Sequence, residues 1–196
     1  PNYAKAHFNL GAAYHDSGSY DESIESYKNS LSIDPKYAQA QNNLGNLYTE
    51  ISKSKEAIDC YQNALKINPN YIEALYGYAL ILEEQGELEL MIEQLKKVVT
   101  IKPDLIEVYN RIGVGFHELN LMDEAIKAFQ TAIEVNPEFS ESYNNLGNSL
   151  REIGRLDDAV KIYKKAIKIN HDFPALHNNL GNVFRELGQL DNALKS

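Results

Sequence analysis

The sequence predicts an all-α solenoid, a fold in which one small helical unit is stacked many times. Three observations support this prediction: proline recurs every 34 residues, two helical patterns lie between successive prolines, and a turn residue recurs between those patterns. A period of about 20 to 50 residues is typical of such arrays, because a single unit cannot bury its own apolar face. The periodic prolines are Pro1, Pro35, Pro69, Pro103 and Pro137.

The repeating unit aligns best when it is counted from Ala4. The predicted units are 4–37, 38–71, 72–105, 106–139, 140–173 and a partial unit at 174–196. Residues 1–3 match the end of a unit, so we interpret them as the tail of a preceding one. Residues 191–196 begin a helix that stops after about two turns. We therefore expect one elongated array cut from a longer protein.

The first helix of each unit is predicted from small or apolar residues on one helical face. With Ala4 as position one, these residues occupy positions four, seven, eight and eleven, a spacing that follows the helical period. In the first unit they are His7, Leu10, Gly11 and Tyr14. Positions two, five, six, nine, twelve and thirteen then fall on the opposite side, away from the second helix.

The turn after the first helix carries residues suited to a left-handed backbone. Glycine adopts this conformation without a Cβ penalty and recurs there in phase, while Ser52 and Asn120 replace it in two units. The glycines are Gly18, Gly86, Gly154 and Gly188.

The second helix is predicted to begin at a recurring aspartate and to end before the recurring proline. A carboxylate can cap the N-terminus of a helix and is favoured there by the helix dipole. The candidate caps are Asp21, Asp123, Asp157 and Asp191. In the fifth unit His171 takes the place of the proline, and Pro174 fits the first turn of the next helix.

Further residues recur in phase across the units. Leu-Gly pairs stand at 10–11, 44–45, 146–147 and 180–181, although the third unit has Tyr78-Ala79 instead. Alanine recurs at Ala57, Ala125, Ala159 and Ala193, and an aromatic residue at Tyr27, Tyr61, Phe129 and Tyr163. With the 34-residue period and the closing proline, this pattern resembles the tetratricopeptide repeat over the whole chain. The resemblance implies a right-handed superhelical solenoid of antiparallel helix pairs, with a concave groove lined by the first helices.

Asparagine recurs on the side of the first helices that faces this groove. It is a mediocre helix former, so its recurrence there calls for a cause other than helix propensity. A carboxamide offers an acceptor and two donors, enough to bind both a C=O and an N–H of an extended peptide. The ladder resembles the peptide-binding groove of the tetratricopeptide arm in O-linked N-acetylglucosamine transferases. Position six carries Asn9, Asn43, Asn145 and Asn179, and position nine carries Asn46, Asn148 and Asn182. Inheritance by duplication, without any ligand, is the alternative explanation.

The third and fourth units depart from the ladder. Gly77 and Arg111 replace asparagine at position six, while Asn110 keeps it at position five. Loss of a side chain at Gly77 predicts a small apolar pocket with an acidic rim, in which an aromatic or aliphatic ligand side chain is anchored. The pocket residues are Tyr76, Leu80 and Val114. Drift in a central unit is the alternative. All the residues named in this paragraph and the last, Gly77 excepted, are the candidate peptide-binding residues.

Charge narrows the choice of partner. The formal net charge is −9 and the pI about 5.1, which argues against nucleic acid, because phosphate binding needs clustered Lys and Arg. Carboxylates also outnumber basic groups at the groove positions, so a neutral or basic peptide is expected rather than an acidic one. No apolar run approaches the length of a membrane-spanning helix. We therefore expect no contact with membranes.

The sequence contains no motif that indicates catalysis. HExxH, CxxC and a glycine-rich phosphate loop are absent, and the five histidines are dispersed. We therefore expect no enzyme activity, no catalytic residue, no metal and no cofactor. Cys60 is the single cysteine, expected to be an inert helix thiol and compatible with a reducing compartment such as the cytoplasm.

The sequence favours a scaffold that binds an extended peptide segment of a protein in its concave groove. A second possibility is the substrate-recognition arm of a glycosyltransferase or of a sulfotransferase with tetratricopeptide repeats. A third is head-to-tail self-association through apolar faces left uncovered at the ends of the array.

Overall fold

The computed structural model describes residues 2–189, and every regular element in that range is an α-helix. The predicted all-α class is thereby confirmed. Pro1 and the helix expected after residue 190, with Asp191 and Ala193, lie outside the described residues. The helices are α1 (Asn2–Asp16), α2 (Tyr20–Ile33), α3 (Ala38–Glu50), α4 (Ser54–Ile67), α5 (Ile72–Glu84), α6 (Leu88–Ile101), α7 (Ile106–Glu118), α8 (Met122–Val135), α9 (Ser140–Glu152), α10 (Leu156–Ile169) and α11 (Pro174–Glu186). Within this range none of the helices combines the length and apolarity needed to span a bilayer.

Residues Pro1–Ile101 form one compact unit that contains helices α1 to α6. The helices pack as the pairs α1/α2, α3/α4 and α5/α6, and each pair also contacts the next. Two buried hydroxyl groups give the orientation of the first pair: Ser23 Oγ donates to the Gly11 carbonyl at 2.7 Å and Ser30 Oγ to the Ala4 carbonyl at 2.8 Å. Because the later serine contacts the earlier carbonyl, α1 and α2 run antiparallel.

Residues Lys102–Ser196 form a second compact unit, which contains helices α7 to α11. Here α7 pairs with α8 and α9 with α10, while α8 packs against α9 and α10 against α11. The first helices of successive pairs also touch, α7 against α9 and α9 against α11. Side chains on these helices can therefore interact from one repeat to the next.

The turn after each of the first helices has the predicted left-handed residue. Gly18, Gly86, Gly154 and Gly188 have φ between 72° and 77°. Ser52 and Asn120 adopt the same conformation, with φ of 59° and 58°. A residue with positive φ therefore recurs at this position of the repeat, whether or not it is glycine.

The predicted caps at Asp21, Asp123 and Asp157 are wrong. Helices α2, α8 and α10 begin at Tyr20, Met122 and Leu156, one residue before the aspartates, and their N-cap side chains make no capping hydrogen bond. Asp21, Asp123 and Asp157 therefore lie in the first helical turn. Only one residue separates the left-handed residue from the helix, which leaves no room for a cap at the aspartate. The helix dipole still favours a carboxylate at this position.

The second helices end in a turn that the proline alone does not explain. The residue after α2, α4, α8 and α10 is extended, and its side-chain oxygen accepts a hydrogen bond from the backbone N–H two residues later, at 2.9 to 3.2 Å. These turn residues are Asp34, Asn68, Asn136 and Asn170. The bond also forms where His171 replaces the proline, and Pro174 begins α11 as predicted.

An aromatic ring of the second helix packs on a glycine of the first helix. A Cβ atom added at Gly45 would lie 2.9 Å from the Tyr61 ring, and one at Gly147 would lie 2.5 Å from the Tyr163 ring. The same arrangement joins Gly11 to Tyr27 and Gly113 to Phe129. In the third repeat, Ala79 and Leu95 occupy the equivalent positions. A repeat that has an aromatic ring in the second helix thus has glycine at the facing position of the first helix.

Helix α1 of the first repeat has exposed apolar side chains. Leu10 is 45% exposed, whereas Leu44, its equivalent in the second repeat, is 4% exposed. Tyr3 is exposed as well. Head-to-tail self-association through such a face stays a prediction.

Candidate functional site

The candidate site is the side of α1, α3, α5, α7, α9 and α11 formed by positions two, five, six, nine, twelve and thirteen of each repeat. We call it the first-helix face and describe it separately in each unit. In the first unit, Asn9 and Asn46 are exposed, and Asn43, Tyr76 and Leu80 are half-buried. In the second unit, Asn110 is buried, and the other candidates are half-buried: Arg111, Val114, Asn145, Asn148, Asn179 and Asn182.

Two asparagines at position nine accept a hydrogen bond from a buried tyrosine of the second helix. Tyr61 Oη donates to Asn46 Oδ1 at 2.8 Å, and Tyr163 Oη donates to Asn148 Oδ1 at 2.7 Å. This structural role of the two asparagines was not predicted from the sequence. The signal was present, because Phe129, which has no hydroxyl group, stands in the repeat where Val114 replaces the asparagine.

Changing Asn148 to valine should destabilise the second unit by about 1 to 3 kcal/mol, because the Tyr163 hydroxyl would lose its acceptor. Adding Tyr163→Phe should recover most of this loss, since the double variant recreates the Val114/Phe129 combination of the preceding repeat. Urea denaturation of the two single variants and the double variant measures the coupling. Additive effects of the two changes would contradict the assigned role of Asn148.

Carboxamides of the second unit are linked across successive first helices. Asn179 Nδ2 of α11 donates to Asn144 Oδ1 at 2.9 Å and to Asn148 Oδ1 at 3.2 Å, both on α9. Asn145 Nδ2 of α9 donates to Asn110 Oδ1 of α7 at 3.1 Å. The ladder in this unit is therefore a hydrogen-bonded network that fixes the orientation of its members.

Asn110 is the most enclosed member of the network, with 6% of its surface exposed. Its Oδ1 accepts from Ser142 Oγ and Asn145 Nδ2, each at 3.1 Å, and its Nδ2 donates to Glu141 Oε1 at 3.0 Å. These bonds join α7 to α9. The structure thus gives Asn110 a structural role that position five did not suggest.

Contacts between a position-twelve side chain and a glutamate connect the first helices along one edge of the face. His15 Nε2 lies 2.6 Å from Glu50 Oε2, and Arg151 Nε lies 2.9 Å from Glu186 Oε1. His117 and Glu152 form the equivalent pair at 2.8 Å. Each pair joins position twelve of one repeat to position thirteen of the next. Some of the carboxylates that the sequence analysis assigned to ligand attraction therefore have partners within the fold.

Glu50 has a second partner on its own unit. The Tyr20 hydroxyl donates to Glu50 Oε1, while His15 contacts the other carboxylate oxygen. The Tyr20 hydrogen bond, followed by that of His15, lowers the pKa of the Glu50 carboxyl group. Glu50 is thus a fixed negative charge at the edge of the face.

Each unit has a cavity on the first-helix face. The cavity of the first unit has a volume of about 440 Å³ and includes Tyr76 and Leu80. The cavity of the second unit is smaller, about 160 Å³, and includes Val114, Asn145 and Asn148. The three residues expected to form one pocket are therefore divided between these two cavities.

The single cysteine lies apart from these cavities, on α4. Cys60 is buried, and burial raises the pKa of its thiol to about 12. A thiol with such a pKa is a poor nucleophile at neutral pH. Among the described residues, no group of three or more His, Cys, Asp and Glu side chains is placed to hold a metal ion.

Family models describe the chain as a series of repeats. A model described as "TPR repeat" matches residues 13–52 and 147–188. Two models described as "Tetratricopeptide repeat" match residues 38–71 and 106–139, and residues 60–93 and 128–161. Together the matches span residues 13–93 and 106–188, and all three models are repeat models.

Solved structures with the same fold cover most of the chain. The protein MamA is 24% identical, with a TM-score of 0.79 over 86% of this chain and 92% of its own. YrrB, described as a TPR protein with an unusual peptide-binding site, is 21% identical, with a TM-score of 0.76 over 87% and 88%. A tetratricopeptide repeat protein from Parabacteroides merdae is 19% identical, with a TM-score of 0.80 over 100% and 77%. A search of curated proteins gives no sequence match.

Proposed function

Because the chain belongs to the tetratricopeptide repeat family, we propose that it is a protein-interaction module that binds an extended peptide on its first-helix face. The carboxamide network of the second unit is the observation that carries this proposal. YrrB, a TPR protein of similar fold, has a peptide-binding site, which is consistent with the proposal. The arrangement favours recognition of the peptide backbone.

The network leaves complementary hydrogen-bonding groups on neighbouring helices. Asn148 Oδ1 accepts from Tyr163 and Asn179, while the structure gives its Nδ2 no partner within residues 3–189. Asn179 uses its Nδ2 in the network, and its Oδ1 has no partner in the same range. Asn148 thus presents donors and Asn179 an acceptor. This pair matches the C=O and N–H groups of a peptide backbone.

The internal bonds hold these groups in place before a ligand arrives. A side chain that is already fixed loses little rotamer freedom when it binds, so more of its hydrogen-bond energy contributes to affinity. Asn148 and Asn179 are both half-buried, which limits competition from water. The face is therefore suited to hold an extended chain with limited dependence on its side chains.

Selection of random linear dodecapeptides on the intact chain should yield peptides that bind it. The combined change of Asn9, Asn43, Asn145 and Asn179 to alanine should weaken their binding about tenfold or more, because each lost hydrogen bond contributes about 1 kcal/mol. Fluorescence polarisation measures the affinity. Methylating single backbone nitrogens of a selected peptide should weaken binding more than replacing most of its side chains by alanine.

A matched control is the double change of Asn29 and Asn70 to alanine. Both residues are exposed and lie outside the first helices, so their loss should leave the affinity unchanged. Thermal unfolding of each variant verifies that the fold is intact. If the selected peptides bind the fourfold variant as tightly as the original chain, the carboxamides do not hold the ligand.

A further inference from the structure

The cavity of the first unit has two kinds of lining. Tyr61, Tyr76, Gly77 and Leu80 supply its apolar surface. Asn46, Thr49, Glu50 and Glu73 supply polar groups, and none of the lining residues is a cation. The cavity therefore combines an apolar, aromatic wall with a negatively charged rim.

Gly77 allows the Tyr61 ring to pack closely against α5 in the wall of this cavity. It occupies position six, where the second and fifth repeats carry Asn43 and Asn145. A Cβ atom at Gly77 would lie 2.7 to 2.8 Å from the end of the Tyr61 ring, so the ring and a side chain cannot share this place. Tyr61 is held by its hydrogen bond to Asn46. The Tyr61 ring is thus a fixed part of the cavity wall, where α4 packs against α5.

The charge of the rim is also fixed. His15 and Tyr20 hold the Glu50 carboxylate and lower its pKa, so it stays ionised at neutral pH. Glu73 adds a second, exposed carboxylate from the first turn of α5. A purely apolar occupant would remove water from these carboxylates without replacing the lost hydrogen bonds, which is unfavourable. An acidic occupant would be repelled.

We propose that this cavity receives a lysine or arginine side chain of the bound peptide. The aliphatic stem of such a side chain packs along Tyr76 and Leu80, while its charged group faces Glu73 and Glu50. The Tyr76 ring adds a cation–π attraction. The inference rests on the proposed peptide binding and gives it a sequence preference. It replaces the aromatic or aliphatic anchor expected from sequence with a cationic one.

A positional-scanning library of blocked decapeptides tests this preference. Each pool has one fixed residue and is otherwise random, and pools with lysine or arginine at one position should be retained most strongly by the intact chain. The double change Tyr76→Ala and Glu73→Gln should abolish that preference and weaken the best lysine peptide roughly five- to tenfold. Binding of the best lysine peptide to the original chain should also weaken as salt is added.

The control variant is Glu89→Gln, which removes an exposed carboxylate from the first turn of α6, outside both the first-helix face and the cavity lining. It should keep the basic preference. Retention of that preference by the double variant, or retained peptides without a basic preference, would overturn the cationic anchor while peptide binding stands. If no pool is retained above the level of an unrelated protein, the proposed function itself is wrong. Circular dichroism verifies that each variant is folded.

Discussion

Replacing Gly113 by alanine should destabilise the second unit by about 2 kcal/mol, although alanine is the better helix former by about 1 kcal/mol. The new Cβ atom would lie 2.5 Å from the Phe129 ring, which is buried and cannot move aside without disturbing its neighbours. Overpacking of this kind commonly costs about 1 to 3 kcal/mol, so the clash should outweigh the propensity. Urea denaturation followed by circular dichroism gives the change in unfolding free energy.

The third repeat suggests a second change that should rescue Gly113→Ala. Ala79 and Leu95 occupy the same two positions in the third repeat, so Phe129→Leu should provide room for an alanine at Gly113. In the Phe129→Leu background, Gly113→Ala should be neutral or stabilising. The change Gly154→Ala is a control, because nothing lies near its Cβ and only its φ of 77° opposes alanine. An equal loss from Gly113→Ala in both backgrounds would rule out the ring contact as its cause.

Replacing Tyr61 by alanine should destabilise the first unit by about 3 to 5 kcal/mol, the range for removal of a large buried ring. The side chain contacts two first helices at once, since Cβ atoms at Gly45 of α3 and Gly77 of α5 would both lie within 2.9 Å of it. Its loss should therefore loosen both helices. Amide hydrogen exchange should accelerate in α3 and α5 together.

The matched control for Tyr61→Ala is Tyr61→Phe. It keeps the ring and removes the hydroxyl group, which donates to Asn46 and also lies 3.2 Å from Thr49 Oγ1. Asn46 is exposed to water, so the loss should be about 1 kcal/mol. Phe129 fills the equivalent position in the fourth repeat without a hydroxyl group. If exchange in the Tyr61→Ala variant accelerates in α3 and remains unchanged in α5, the ring does not connect the two repeats.

Features governed by local backbone chemistry could be predicted from the sequence. The helix pairs follow from the apolar spacing, and the turn between them follows from residues that accept positive φ, including Ser52 and Asn120. The position of Pro174 in the first turn of α11 follows from its fixed φ. These features depend on a few neighbouring residues, which recur in each unit.

Features that depend on contacts between helices could not be predicted in the same way. The hydrogen bonds of Asn46 and Asn148 require the position of a tyrosine fifteen residues later, on another helix. The burial of Asn110 depends on Ser142 and Glu141 of the following first helix. Counting asparagines on a helical wheel therefore overstated how many of them are available to a ligand.

The aspartate caps failed for a different reason. Alignment of the repeats located Asp21 correctly within the unit, but the start of α2 depends on how many residues the turn consumes. The left-handed Gly18 and a single following residue complete that turn. A difference of one residue is enough to move a carboxylate from a cap into the first turn.

The contacts with glutamate at the edge of the first-helix face affect how the repeats can be engineered. His15 and Arg151 each find their carboxylate one repeat ahead, on Glu50 and Glu186. A single repeat that is transplanted into another protein is therefore separated from one partner of such a contact at each new junction. A graft from this chain should carry the matching glutamate of the following repeat, so that the seam between donor and host is not left with unbalanced charge.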